Sequence, residues 1–254
     1  MKEQWEDFRI AAAFLTVFPV AGGLSMEPPR LARSMGLFPA VGAAIGFGLV
    51  IVNWALTPLV PRAVLDTLLI LILIAATGAL HLDGVADLAS ALAGGRSREE
   101  VLSLMQDGRV RAIGVVSLVM VLLLKYVSLH NVPGAAKVAA LILMPAAGRW
   151  VQVVLASSCR YLQQTGERRN TGYIDLVGSR ELLLATITLA LAAILLLGFK
   201  GVLLLVLLSV AAAGQVGYLQ RRLGGVNAMA LGAATELTEV LSLLLILMIF
   251  RLSS

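Results

Sequence analysis

Seven blocks of this chain are apolar for nearly the length that a bilayer demands, and together they exclude an ordinary water-soluble core. They fall at 36–60, 64–80, 112–130, 134–157, 182–199, 201–219 and 240–252. A helix crossing the hydrocarbon region needs about 20 apolar residues, so the shorter blocks must draw on adjoining residues. Charge is scarce in proportion. Of the 254 residues 14% are charged, whereas a soluble domain carries roughly 25%. The expected fold is all-α: a polytopic helical bundle of about seven transmembrane helices in a lipid bilayer, with residues 1–254 as one domain. Ahead of it, the apolar run Ile10 to Val20 is too short to span and is stopped by Pro19. It reads as an interfacial or re-entrant helix.

The connections alternate. Three are tight, at Pro58 to Pro61, His130 to Gly134 and Gly198 to Gly201. Three are long and polar, at 81–111, 158–181 and 220–239, and these carry most of the arginines: Arg96, Arg98, Arg109, Arg111, Arg160, Arg168, Arg169, Arg180, Arg221 and Arg222. Basic loops stay in the cytoplasm, which places the N-terminus and all three polar loops there. The net charge of +5 is thus an anchoring charge and implies no nucleic acid. The opening residues carry Glu3, Glu6 and Asp7 and lack the basic start of a cleaved signal peptide. Cys159 is alone, so neither a disulfide nor a thiolate metal cluster is expected.

Chemistry concentrates where the acids are. His81-Leu82-Asp83-Gly84-Val85-Ala86-Asp87 follows the second block directly. Carboxylates four apart share a helix face. Paired carboxylates suit a hard cation such as Mg²⁺, which commonly works on phosphates. Solvated pairing with nearby arginines is the competing reading. Gly84 would allow a backbone or a ligand to approach closely. After the Gly94-Gly95 break, Ser97 and Glu100 have capping-box spacing and start a helix with Val101, Leu102 and Met105 on its apolar side. That loop ends Asp107-Gly108-Arg109. Arg149 lies inside an apolar block with no evident partner, so it either contacts a phosphate or an acid or extends to the headgroups. Glu236 and Glu239 share a face beside the last block and either join a metal shell or pair with Arg221 and Arg222. No acid falls near the centre of an expected span, which speaks against a transporter.

With these residues in place the chain resembles the cobalamin synthases, or adenosylcobinamide-GDP ribazoletransferases. The likeness rests on Phe14-Leu15-Thr16-Val17-Phe18-Pro19, Gly36 to Gly42, His81 to Asp87, Met105-Gln106-Asp107-Gly108-Arg109, Gly148-Arg149-Trp150, and Leu231-Gly232-Ala233 followed by Glu236 to Glu239. The resemblance implies a Mg²⁺-dependent inner-membrane enzyme of late cobalamin assembly. Such an enzyme joins α-ribazole, or its 5′-phosphate, to adenosylcobinamide-GDP and releases GMP. It implies metal on Asp83 and Asp87, with Asp107 as the candidate third ligand. Arg109 would steady the departing GMP, and His81, Gly84, Arg149, Asn227, Glu236 and Glu239 form the expected substrate-contacting set. The chain departs from the family pattern at Ser90, where a third aspartate is usual, and at Gly108 and Arg111. It departs again at Asn227-Ala228-Met229, where Thr-Gly-Asp is usual. A corrinoid-binding member with impaired chemistry is therefore one alternative. A CDP-alcohol-type phosphotransferase is another, although that class places Arg where Asp87 stands. Homo-oligomerisation is left open.

Overall fold

The computed structural model describes residues 2–94, 97–162 and 169–252, so Gly95, Arg96 and Arg168 of the polar loops lie outside the described residues. Every named element is helical, apart from one isolated bridge between Tyr161 and Val226. Helix α1 covers Lys2–Leu15 and α2 covers Pro28–Ser34, which runs through a 3₁₀ turn at Met35–Leu37 into α3, Phe38–Leu56. The N-terminal helix therefore begins eight residues before the apolar run at Ile10. Its acids explain the early start: Glu6 pairs with Arg30, and Asp7 lies 2.8 Å from Arg33 Nε, tying α1 to α2. It ends short of Pro19, as a proline that cannot continue a helix requires.

The remaining elements are α4 (Arg62–Thr77), α5 (Leu82–Gly94), α6 (Arg98–Asp107), α7 (Ala112–Asn131), α8 (Gly134–Ser158), α9 (Ser179–Leu197), α10 (Phe199–Leu223) and α11 (Ala228–Arg251). Among the described residues six spans are long and apolar enough to cross a bilayer: α2 running into α3, and α7 to α11. Helix α4 is shorter at 16 residues and turns by 88° into α5. The start of α4 packs on the end of α7. Asp66 pairs with Lys137 and lies 3.0 Å from His130 Nδ1, and Arg62 donates to the Val132 carbonyl. The end of α4 and the start of α7 therefore share the other end of the bundle, where α5 packs against α7 and α11. His130, which the sequence left without a role, is half-buried at the edge of this cluster, around the buried Asp66.

Helix α8 is the hub and is buried almost throughout, while α9 and α10 face mostly outward. Helix α3 lies against it through Gly42 and Gly46. A Cβ at Gly42 would strike the Pro145 carbonyl, and one at Gly46 the Leu141 carbonyl. In lipid the apolar surface of a helix gains nothing from leaving hydrocarbon, so close backbone packing through small residues supplies much of the association. The last helix departs from expectation. Residues 228–239, read as polar loop, form its first half, and only the rest matches the 240–252 block.

Candidate functional site

The turn out of α4 makes the site. Gly78 and Ala79 both adopt left-handed backbone, with φ of 61° and 58°. Ala79 is the described non-glycine residue with positive φ, a conformation that costs about 1–2 kcal/mol for an L-residue. This turn points His81 inward and starts α5 across the end of the bundle. Asp83 and Asp87 then stand one turn apart on the same face. They open into a cleft of about 300 Å³ also lined by His81, Gln152, Tyr173 and Met229. Helix α5 comes this close to α11 because of Gly84 and Gly232. A Cβ at Gly84 would land on the Met229 carbonyl and 2.9 Å from the Ala233 nitrogen, and one at Gly232 would lie 3.1 Å from the His81 carbonyl oxygen. Gly84 thus serves close backbone approach between helices.

Asp83 is exposed and Asp87 half-buried. Burial first, and then the neighbouring Asp83 charge, raise the Asp87 carboxyl above its ordinary value. Two like charges in one cleft are relieved by a cation. Hard oxygen donors that leave coordination positions to phosphate and water suit Mg²⁺. The residues present therefore fit that ion. Among the described residues no group of three or more His, Cys, Asp or Glu side chains is gathered as a ready-made metal site. Asp107 lies outside the cleft, half-exposed, 3.3 Å from the largely exposed Arg109. The structure brings Asp83, Asp87, His81 and Gly84 together and leaves Asp107 and Arg109 apart from them.

His81 is buried, and its basicity falls well below the ordinary histidine value. Desolvation is the first cause, followed by the positive charges of Arg149 and Lys125. Its Nε2 lies 3.3 Å from Gln152 Nε2, which also donates to Thr235 Oγ1 at 2.8 Å. Beneath this chain is a buried charge cluster inside the spans. Lys125 of α7 donates to Glu236 and Glu239 of α11, both at 2.6 Å, and Arg149 of α8 pairs with Glu239. Two sequence expectations are corrected here. Acids do lie inside a span, and Arg149 has a buried partner. Two cations offset two anions, so the cluster carries no net charge, which is what allows it into a low-dielectric interior. Glu236 and Glu239 pair with Lys125 and Arg149, and neither they nor Arg149 lines the cleft.

Asn227 is fully buried and caps α11, accepting from the Ala230 nitrogen at 2.9 Å; it does not line the cleft. Ser90 accepts from the Arg111 nitrogen at 2.9 Å where α7 begins. Ser97 and Glu100 form the expected capping box of α6. Gln152 and Tyr173 are cleft residues that sequence reasoning missed, whereas Met229, which stands where the family pattern has an aspartate, does line the cleft. Gln152 had a signal, a polar side chain in an apolar block one turn after Arg149. Tyr173 had none, because a long loop brings it to Phe14, at 5.6 Å between ring centroids.

A family model described as cobalamin-5-phosphate synthase matches residues 7–247. A protein of Geotalea daltonii named adenosylcobinamide-GDP ribazoletransferase is 36% identical over 92% of this chain and 94% of its own length. Proteins with the same name from Desulforamulus reducens and Citrobacter koseri are 33% and 36% identical, over 96% and 92% of this chain and 97% and 96% of theirs. No solved structure matches. With the match running almost from end to end, through the acid-bearing turn and the last helix alike, the chain belongs to the cobalamin-5-phosphate synthase family.

Proposed function

We propose that this chain is a membrane-embedded adenosylcobinamide-GDP ribazoletransferase. It works at the cytoplasmic face of the inner membrane and takes α-ribazole or its 5′-phosphate as acceptor. The observation that carries the reading is the pair Asp83 and Asp87, which open into one cleft with His81, Gln152 and Tyr173. An oxygen of a ribazole hydroxyl forms a bond to the phosphorus on the cobinamide side of the diphosphate. The bond from that phosphorus to the bridging oxygen breaks, GMP leaves with the bonding pair, and the hydroxyl proton is released. Mg²⁺ held by Asp83 and Asp87 would supply neutralisation of the diphosphate charge. The chain itself contributes position and electrostatics, which dominate phosphoryl transfer. Helix α5 fixes the two carboxylates, because Gly84 locks it to α11. Neutral His81, backed by Gln152, offers a ring nitrogen without adding positive charge. Arg109 is exposed outside the cleft, so a role on the departing GMP would require the end of α6 to approach.

The test is turnover of the purified protein in lipid with GDP-activated corrinoid, ribazole and Mg²⁺, followed as GMP release. Release that depends on both substrates and stops with EDTA supports the proposal. Release unaffected by EDTA contradicts the metal assignment, and no release with any acceptor contradicts the reaction.

A further inference from the structure

A second groove lies on the outer side of the acid-bearing helix. Along α10, an open channel of about 520 Å³ is lined by Gly214, Gly217, Tyr218, Arg221 and Arg222. Through Gly214 and Tyr218 it continues into a largely apolar crevice of about 460 Å³, walled by Leu88 and Leu92 of α5 and by Ala230, Ala234 and Leu237 of α11. Two glycines inside one helix weaken it by about 1 kcal/mol each relative to alanine. Among the described residues neither has a packing reason, since a Cβ at Gly214 or Gly217 would meet nothing within 4 Å. They contribute open space. The channel is apolar along its length and basic at one end, where α10 finishes in Arg221 and Arg222.

We propose that this groove binds one anionic phospholipid, its phosphate at Arg221 and Arg222 and an acyl chain along Gly217 and Gly214 into the crevice. Charge complementarity favours lipid over a second copy of the chain. A symmetric pair meeting along this face would bring the two arginine pairs together, and like charges in an interface oppose association. An anionic headgroup is attracted by the same residues. Acyl carbons are apolar, as the crevice is. Because Leu88 and Leu92 form its wall, the bound chain packs on the back of the helix that presents Asp83 and Asp87.

Native mass spectrometry of the full-length, delipidated protein tests this, with phosphatidylglycerol and phosphatidylcholine as probes. The expected result is one retained phosphatidylglycerol and no comparable phosphatidylcholine. The R221Q/R222Q variant should bind phosphatidylglycerol more weakly by about fivefold for each arginine removed. Gly214→Leu fills the channel and should abolish retention. If that variant does not fold, the arginine variant decides alone. Equal retention of the two lipids, or retention unchanged in R221Q/R222Q, overturns the proposal. So does efficient disulfide-linked dimer formation by Gly217→Cys in phosphatidylglycerol bilayers, which would give the face to a second copy.

Discussion

At the scale of single residues, the site is a contrast between carboxylates at the cleft and a histidine kept neutral beside them. That contrast has a pH consequence. The unfolded chain protonates His81 near the ordinary value of about 6.5, whereas the fold resists protonation until well below it. Between these values the unfolded state binds more protons, so stability falls as pH falls. The expected slope attributable to this one group approaches about 1.4 kcal/mol per pH unit. Thermal midpoints of the wild type and of His81→Gln, compared between about pH 7 and pH 5, should show the steeper fall in the wild type. Parallel curves would contradict the burial of a neutral His81. The carboxylate pair was legible in the sequence because a separation of four is local helix geometry. The distance of Asp107 from that pair was not. Whether α6 folds back over the cleft depends on a loop, and loop closure leaves no periodic trace. Asn227 was misread for a related reason, since a polar residue ahead of a span serves equally as a cap or a ligand.

At the scale of elements, the junction of α7, α8 and α11 is held by opposite charges inside the spans. Glu239 meets both Lys125 and Arg149. Glu239→Gln leaves a surplus cation in the interior and should cost about 3–5 kcal/mol. Removing Arg149 as well, in R149M/E239Q, leaves Lys125 with Glu236 and no net charge, so most of that loss should return. Unfolding midpoints in lipid or mild detergent measure both, and a double variant as unstable as the single one would contradict the pairing. This cluster explains why the start of α11 was hidden. Glu236 and Glu239 lower the apolar character of residues 228–239, and the cations that neutralise them come from helices distant in sequence. A span containing acids reads as a loop until its partners are known. The other spans depend only on their own composition, and α7 and α8 fall within a residue of the expected limits.

At the scale of the whole molecule, the cleft, the capped start of α11 and the described arginines Arg98 and Arg160 beside Gly224 and Gly225 occupy one end of the bundle, with the Asp66 cluster at the other. The cytoplasmic assignment of the first end predicts a labelling pattern in intact cells. An impermeant maleimide should miss Glu99→Cys on α6 and react with Leu59→Cys in the turn before α4, both exposed positions. The reverse pattern would invert the topology. The central claim is that Asp83 and Asp87 act as a pair at the reacting diphosphate. Mg²⁺-dependent GMP release from Asp83→Asn and Asp87→Asn, set against their thermal midpoints in lipid, tests it most directly. Each variant should lose about 100-fold or more in turnover, as expected on losing a group that stabilises transition-state charge, while its midpoint stays at or above that of the wild type. Turnover within a few-fold of wild type in either variant would contradict the claim.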